Sequence, residues 1–249
     1  MRVDVVLPDS HAPEHDRPTH RALLSLLADL RPAGLCWAGD VGDWQSVSRH
    51  ANQAQITQLD DDAGAVRAYM REASEAAGYP EEMLLAGNHE MWLEREILAR
   101  VPALANSLSI PSILRLEERG IRWVPEGAQP VAVGGVRVAH GHQLAAGMSG
   151  CLPLYHARRA AEMWGTPAAP IIIGHAHRPQ VWHAAAWGGS VWAWALGCLR
   201  TLAPPWLRGR PAGWAHQVAI IYTDDRGIPT IYPVNFAAGR CCWGGRIHG

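Results

Sequence analysis

The stretch that decides the fold is Val3-Asp4-Val5-Val6-Leu7-Pro8-Asp9-Ser10-His11. Its first part is an apolar run that is typical of a buried strand, and the run ends at a group of polar residues. Similar runs end at Gly39, Gly87 and Gly174, and polar residues follow each of them. Between the runs, residues 17–30, 57–77 and 90–100 carry apolar side chains at helical spacing. This alternation of strands and helices predicts an α/β fold.

The second half of the chain is richer in strands. A hairpin over residues 131–139 turns at Gly134-Gly135, a helix is predicted at 152–164, and a short buried strand at 171–173. Further strands are predicted at 180–187, 190–196, 216–223 and 228–233. No long linker interrupts the pattern, so we expect one domain over residues 1–235. The tail, residues 236–249, is rich in Gly, Arg and Cys and is predicted to be poorly ordered.

Composition excludes several classes of function. The chain has 22 basic and 23 acidic residues, which argues against a broad electrostatic footprint on nucleic acid but is compatible with a local patch. All the basic residues are Arg, so a catalytic or P-loop lysine is excluded. No stretch reaches the roughly 18 apolar residues of a membrane span. The five Cys show no C-x-x-C spacing, and with no signal sequence we expect a reducing, cytoplasmic location.

Five polar motifs follow the apolar runs: Asp9-Ser10-His11, Gly39-Asp40-Val41-Gly42-Asp43, Gly87-Asn88-His89-Glu90, His140-Gly141-His142 and Gly174-His175-Ala176-His177. Asp, Asn and His supply the oxygen and nitrogen ligands that divalent transition metals prefer. Open α/β sheets bind ligands at the carboxyl ends of their strands, so neighbouring strands would bring these side chains together. A shared carboxylate can bridge two cations. The motifs therefore predict a two-metal centre.

Each motif alone has an ordinary structural explanation. Asp9 could end a strand in an Asx-turn, and Asp40 and Asp43 could cap a helix. Asn88 and His89 could be turn residues. Five such explanations would have to coincide in one chain, so a shared site is the favoured interpretation.

The order of the five motifs resembles that of the calcineurin-like metallophosphoesterase superfamily: D-x-H, G-D-x-x-D, G-N-H-E, H-G-x-H and G-H-x-H. The details are most similar to phage and prophage members, which tend to read P-D-x-H-x-P, G-D-x-x-D-x-x-S-x-S-R and G-N-H-E-x-x-L-E-R. The matching stretches here are Pro8 to Pro13, Gly39 to Arg49 and Gly87 to Arg95. The resemblance implies a four-layer α/β/β/α sandwich, in which helices flank two mixed sheets and the active site lies at the strand ends on one edge.

The resemblance also implies metal-binding roles for residues of all five motifs. The first metal would be held by Asp9, His11 and His177, and the second by Asn88, His140 and His175. Asp40 would bridge the two metals. His140 is favoured over His142 because it follows the apolar run directly and because the first His of this motif is the ligand in the family; His142 would lie near the site or on its rim.

The catalytic roles come from the same resemblance. His89 would be the general acid for the leaving alkoxide or would stabilise the transition state, and Asp43 would orient it through a hydrogen bond. Trp44 stands where the Ser/Thr protein phosphatases of the family carry an arginine, which argues against a protein phosphatase. The candidate phosphate-binding cations are instead Arg49, Arg95 and Arg178.

Residues outside the motifs receive plainer predictions. His15, His20 and His156 lack ligand spacing and are predicted to be satisfied or surface histidines. A cluster of Trp in the late strands is predicted to lie in the core or an interface, although aromatic faces can also stack on bases: Trp182, Trp187, Trp192 and Trp194.

The function that the resemblance implies is metal-dependent hydrolysis of a phosphodiester or a phosphomonoester, by in-line attack of a metal-bound hydroxide. The expected cofactors are two divalent ions, with manganese first and iron, nickel or zinc also compatible. The expected partner is a small phosphoester or a nucleic acid, and not a membrane. The alternatives are a nuclease acting on DNA or RNA and a metal-free interaction module. The sequence leaves the oligomeric state open.

Overall fold

The computed structural model describes residues 1–47, 58–145 and 153–249. Its strands are β1 (Arg2–Leu7), β2 (Gly34–Trp37), β3 (Glu81–Leu85), β4 (Arg122–Val124), β5 (Val131–Val133), β6 (Val136–Ala139), β7 (Ile171–Ile173), β8 (Gln180–Ala186), β9 (Gly189–Ala195), β10 (His216–Thr223), β11 (Pro229–Phe236), β12 (Cys241–Trp243) and β13 (Arg246–His248). Its α-helices are α1 (Arg17–Leu30), α2 (Leu59–Ala77), α3 (Asn88–Arg100), α4 (Ile110–Ile113) and α5 (Pro153–Trp164). Among the described residues, no helix is long and apolar enough to cross a membrane.

The strands form two large mixed sheets. The first has the order β11-β10-β1-β2-β3-β4, with β1 to β4 parallel and β10 and β11 antiparallel to their neighbours. The second has the order β5-β6-β7-β9-β8, in which β6, β7 and β9 are parallel. In both sheets the central strands are parallel, so their carboxyl ends lie along one edge.

Three apolar clusters stack the molecule into layers. One joins the outer face of the first sheet to the helices α1, α2 and α3, through residues such as Leu26 and Met70. A second fills the space between the sheets, where Val6 and Cys36 lie in the same cluster as Val138 and Ile172. A third packs α5 on the outer face of the second sheet. The predicted four-layer α/β/β/α sandwich is therefore confirmed.

The first helix shows how local sequence sets these elements. Asp16 caps α1, and its carboxylate accepts a hydrogen bond from the Thr19 amide at 2.9 Å. Pro18 stands in the first turn, where its missing N–H costs nothing. Leu23, Leu26 and Leu27 then recur on one face and are buried against the first sheet. The buried face of α1 therefore packs on the sheet that contains β1, the strand that the first polar motif follows.

The tail differs from the prediction. Residues 236–249 were expected to be poorly ordered, but β12 and β13 pair as a hairpin through Gly244 and Gly245, whose φ angles are 56° and 77°. Two successive positive φ angles suit the tight turn of a hairpin, and glycine adopts them without strain. The tail also has core contacts: His248 is 4% exposed, and its Nδ1 lies 3.0 Å from the Ser25 hydroxyl. Glycine richness here indicates a turn instead of disorder.

Candidate metal centre

The polar motifs lie at the carboxyl ends of β1, β2, β3, β6 and β7. These strands are parallel neighbours within each sheet, and the two sheets face each other, so the motifs meet at one edge of the sandwich. Three groups of side chains in the described part of the chain could each hold a metal ion: Asp9, His11 and His177; His11, Asp40 and His89; and Asp40, His140 and His175. His11 and Asp40 each belong to two groups, so the three groups form one continuous site.

The backbone at this edge is strained. The φ angles of Asp9, His11 and Asp40 are 43°, 49° and 48°, and those of His175 and His177 are 66° and 57°. Few residues other than glycine adopt this left-handed conformation, and such strain concentrates at functional sites. The chain turns sharply after β1, β2 and β7, where these residues lie.

The first group joins β1 to β7. The Nε2 atoms of His11 and His177 lie 3.2 Å apart, and His177 Nε2 lies 3.3 Å from Asp9 Oδ1. All three residues are buried. The carboxylate of Asp9 also accepts the His175 amide, at 2.9 Å and 3.1 Å to its two oxygens. This contact ties the first motif to the loop that carries the last one.

The group of Asp40, His140 and His175 joins β2 to β6 and β7. His140 Nε2 lies 3.4 Å from Asp40 Oδ2 and 3.1 Å from the Asn88 side-chain oxygen. The ring centroid of His175 is 5.1 Å from that of His140. All seven predicted metal ligands are therefore brought together, although the amide of Asn88 lies outside the three groups of His and carboxylate residues.

The ring nitrogens that face away from the site are held in place. His11 Nδ1 lies 2.8 Å from the Asp43 carboxylate, and His140 Nδ1 donates to the Ala38 carbonyl at 2.8 Å. Histidines that bind metals usually bond their second nitrogen to a carboxylate or a carbonyl, which fixes the tautomer and the ring direction. Both rings consequently present Nε2 to the site, and the donor set fits divalent transition metals.

The role predicted for Asp43 needs a correction. The sequence suggested that its carboxylate orients His89, but His89 Nδ1 donates to the main-chain carbonyl of Asp43, at 2.9 Å. The nearer carboxylate oxygen is 3.8 Å from that nitrogen, which is too long for a hydrogen bond. The Asp43 carboxylate instead bonds His11, and it accepts a hydrogen bond from the side-chain amide of Gln45 at 3.0 Å. Asp43 therefore orients His11 with its side chain and His89 with its backbone.

Burial and charge set the protonation of the site. Burial lowers the pKa of His11 to about 4 and that of His175 to about 3, so both imidazoles are neutral, as metal ligation requires. At His140 burial opposes protonation, but the Asp40 carboxylate outweighs it and raises the pKa to about 10. The pKa of Asp40 lies well below its usual range because His140 and the other imidazoles outweigh burial. A cation bound beside His140 would therefore displace a proton.

Glu90 is an organising residue to which the sequence assigned no role. It is fully buried, and its carboxylate accepts hydrogen bonds from the amides of Asp40, Val41 and Gly87 at 2.8–3.0 Å. It also accepts from the indole of Trp44 at 3.3 Å. A Glu three residues after a helix N-cap is a known sequence signal, so the motif contained the information. Glu90 thus joins the loop that carries Asp40 to the start of α3.

The candidate phosphate-binding residues are less well placed. Arg95 has a 65% exposed side chain 4.0 Å from Glu126, and His142 Nε2 lies 2.7 Å from the same carboxylate. Arg178 donates its Nε to the Ala212 carbonyl. Arg49 lies outside the described residues. Substrate contacts of these four residues therefore stay predictions.

Two further residues near the site come from outside the motifs. His156, on α5, is 9% exposed, and its ring centroid lies 6.1 Å from that of His175. Arg200 is 5% exposed, and its Nη1 lies 3.4 Å from the Asp43 carboxylate. Neither has a spacing that sequence patterns could have detected, because each reaches the site through tertiary packing.

Comparison of the sequence with known proteins finds relatives in phages. The Gene 54 protein of Mycobacterium phage L5 is 25% identical over 256 residues, which covers 98% of this chain and 97% of the phage protein. The Gene 54 protein of Mycobacterium phage D29 is 25% identical over 246 residues, with 92% of each chain covered. No protein-family model matches the sequence. These relatives agree with the predicted resemblance to phage-type proteins.

Two solved structures are also similar to this chain. A single mutant of Vps29 from Entamoeba histolytica has a TM-score of 0.40 and 14% identity, covering 95% of this chain and 94% of that chain. The Pseudomonas putida nuclease MPE has a TM-score of 0.39 and 14% identity, covering 92% of this chain and 86% of that chain.

Proposed function

We propose that this chain is a phosphoesterase that depends on two divalent metal ions and hydrolyses a phosphodiester or, less favourably, a phosphomonoester. The observation that carries the proposal is the position of the Asp40 carboxylate. Its Oδ2 lies 3.4 Å from His140 Nε2, 3.8 Å from His11 Nε2 and 4.0 Å from His89 Nε2. One oxygen thus faces a nitrogen from each of the two groups of proposed ligands, which is where a bridging carboxylate is needed.

The proposed ligands divide into two sets, one for each metal. Asp9, His11 and His177 would hold one metal, and a second would be held by Asn88, His140 and His175, with Asp40 shared. When bound, such a pair of cations activates water and neutralises the charge that develops on the phosphoryl oxygens. Manganese is the proposed ion, and iron, nickel and zinc suit the same donors.

His89 is proposed as the group that delivers a proton to the leaving oxygen. Its Nδ1 is held by the Asp43 carbonyl, so its Nε2 is directed to the region beside Asp40. The side chain is 15% exposed, which places it at the rim of an otherwise buried set of residues. A proton carried on Nε2 would face both the site and the solvent, as a general acid requires.

The charges around the site favour a diester as substrate. A monoester dianion needs more positive charge than a diester monoanion. Of the predicted cations that the structure describes, Arg95 is turned towards Glu126, and Arg178 has its Nε engaged by a carbonyl. Among the described residues, these two predicted cations therefore add little positive charge beside the proposed metals. We further propose a cytoplasmic location, in keeping with the free thiols of Cys36 and Cys198.

The proposal is tested by removing and restoring metal. After treatment with a chelator, the protein should bind about two equivalents of Mn²⁺ and then hydrolyse an alkyl phosphodiester faster than the matching monoester. His89→Ala should lower turnover by roughly 10²–10⁴-fold while both equivalents stay bound. His183→Ala, on β8, is the matched control and should keep full turnover. Purified protein that binds no stoichiometric metal and shows no activity would instead support a metal-free interaction module.

A nuclease is the second candidate, and a row of aromatic rings favours it. The Trp92 ring centroid lies 4.2 Å from that of His89, and the Trp214 centroid lies 4.6 Å from that of His177. Trp206, 61% exposed, lies 5.6 Å from Trp214. Indole faces at both ends of the proposed site could stack on bases, at about 1–3 kcal/mol per base.

The nuclease candidate has its own test. Trp206→Ala should raise KM for a short single-stranded oligonucleotide and leave KM for an alkyl phosphodiester unchanged. The control is Trp187→Ala. Trp187 is fully exposed at the turn between β8 and β9, away from the carboxyl ends of the parallel strands, where the proposed site lies. No binding of the oligonucleotide at low salt, where phosphate contacts are strongest, would exclude a nuclease.

A further inference from the structure

We propose that Arg200 is a positioning residue of the metal centre. It fixes the orientation of the two neighbouring ligands His11 and His177 through its contacts with Asp43 and Trp214. The inference rests on the proposed function, because it assigns a role in a site that binds metal. Arg200 lies just after β9 and belongs to none of the five motifs.

The first link runs through Asp43. Arg200 Nη1 lies 3.4 Å from Asp43 Oδ1, and the same oxygen lies 2.8 Å from His11 Nδ1. The guanidinium and the imidazole therefore share one carboxylate oxygen. A carboxylate held from two directions fixes the plane of the histidine ring more narrowly than one held by the histidine alone.

The second link runs through Trp214. The guanidinium carbon of Arg200 lies 5.6 Å from the centroid of the Trp214 ring, within the range of a cation–π contact. The Trp214 ring packs edge-on against His177, with 4.6 Å between centroids. Arg200 thus contacts a support of His11 and a support of His177, whose Nε2 atoms are 3.2 Å apart.

The backbone of Arg200 is itself tied to the loop of the first motif. The amide before it, of Leu199, donates to the Asp9 carbonyl at 3.1 Å, and the amide after it, of Thr201, donates to the Glu14 carbonyl at 2.9 Å. The Arg200 carbonyl accepts from His216 Nε2 at 2.9 Å. Hydrogen bonds on both sides of Arg200 therefore hold its backbone in place, and the guanidinium extends from this segment to Asp43.

Arg200 is poorly suited to be only a stabilising residue. Its Nε is buried and has no hydrogen-bond partner within the described ranges, and its side chain is 6% exposed. Burying an unpartnered donor of a charged group costs folding free energy. Local features that oppose stability occur chiefly at functional sites, where they serve the geometry of that site.

The experiment compares metal binding by the full-length protein and two variants, without substrate. Arg200→Met should weaken one of the two Mn²⁺ equivalents, by less than the roughly 10–100-fold that loss of a direct partner of a metal ligand costs, and Arg200→Lys should restore part of the affinity. The matched control is Arg2→Met, which also removes an arginine from a buried aspartate, since Arg2 Nη2 lies 3.0 Å from Asp4 Oδ1 at the far end of β1. It should bind both equivalents as the unaltered protein does.

The visible spectrum of the Co²⁺-loaded protein provides a second readout, which a purely structural role would not alter. In Arg200→Lys the spectrum should change while the melting temperature stays close to that of the unaltered protein. If Arg200→Met fails to fold, the Mn²⁺ affinity and the Co²⁺ spectrum of Arg200→Lys test the assignment. Unchanged Mn²⁺ affinity and an unchanged Co²⁺ spectrum in the Lys variant would overturn the assignment of Arg200. Failure of the unaltered protein to bind metal at all would overturn the proposed function as well.

Discussion

Two histidine clusters in the described part of the molecule have similar distances between their rings but differ in what they can do. The strand-end cluster contains His11, His140 and His177; the helix cluster contains His15 and His20, packed with Tyr69 between α1 and α2. The ring centroids of His11 and His177 lie 5.1 Å apart, and those of His15 and His20 are also 5.1 Å apart.

The difference lies in which part of each ring faces its neighbours. In the strand-end cluster the Nε2 atoms converge on one another and on carboxylate oxygens, at 3.2–3.8 Å. In the helix cluster His20 stacks its face on Tyr69, with 4.4 Å between centroids, and its Nε2 bonds Glu72 at 2.8 Å. Within the described ranges, neither His15 nor His20 belongs to a group that could hold a metal. Proximity of histidines alone is therefore a poor sign of a metal site.

The largest expected effect is at the shared carboxylate of the strand-end cluster. Asp40→Asn removes the charge that faces both His11 and His140, so we expect both metal equivalents to weaken together. The loss should exceed the roughly 10–100-fold that partners of a ligand typically cost. Competition with a chelator, followed by elemental analysis, measures it.

The control for this change is Asp62→Asn. Asp62 is also a buried aspartate, 1% exposed, but its carboxylate accepts the Ser46 amide at 3.0 Å, and among the described residues it belongs to no group of potential ligands. It should keep both metal equivalents. Loss of a single equivalent in Asp40→Asn would show that this carboxylate does not bridge.

A smaller and more selective effect is expected at Asp43. Its carboxylate supports His11, whereas His140 leans on the main-chain carbonyl of Ala38, which no side-chain substitution removes. Asp43→Asn should therefore weaken one metal equivalent by roughly 10–100-fold and leave the other almost unchanged. Titration with Mn²⁺ would show two separate affinities. Equal weakening of both equivalents would mean that the two halves of the site do not have separate supports.

The sequence could predict the fold and the convergence of the motifs for physical reasons. Strands β1, β2 and β7 are buried on both faces, so they are continuous apolar runs that stand out from the helices around them. Parallel strands share the direction of their carboxyl ends, so a polar motif after each strand has to reach the same edge. Asp9, Asp40 and Asn88 follow parallel strands of one sheet and could be grouped on that basis, whereas His140 follows a strand of the other sheet.

Other features depend on contacts that no local pattern encodes. Two features determine which acceptor His89 bonds. One is the path of the main chain from Asp43 to Trp44, whose φ angle is 50°, and the other is competition from His11 for the Asp43 carboxylate. Arg200 reaches Asp43 from 157 positions further along the chain. The helix cluster likewise arises from packing between α1 and α2. Side-chain pairing over such separations follows from the assembled fold and cannot be read from spacing.

Within the helix cluster, the expected effects are on stability and not on metal. His20→Ala removes a ring stacked on Tyr69 and a hydrogen bond to Glu72. Single losses of packing of this kind typically cost 0.5–3 kcal/mol, and each kcal/mol lowers the melting temperature of a chain of this size by about 2–4 °C. Calorimetry should show this decrease while Mn²⁺ affinity stays unchanged. A weakened metal equivalent would mean that the two clusters are coupled.

The smallest expected effect is a pH dependence carried by His15. Burial, aided by the neighbouring His20, lowers the pKa of His15 in the folded protein to about 4, whereas in the unfolded chain it is about 6.5. The unfolded state then binds more protons than the folded state between these values, so the contribution of His15 to stability is complete above pH 6.5 and is lost as the pH falls towards 4. His15→Asn cannot titrate, so the melting temperature of the unaltered protein should fall more steeply than that of the variant over this range. His15 is only partly buried, so solvent screening makes the difference smaller than the full pKa shift would give. It is measured without metal so that the strand-end histidines titrate alike in both proteins. Parallel curves from pH 7 to pH 4 would show that His15 takes up its proton as easily in the folded protein as in the unfolded chain.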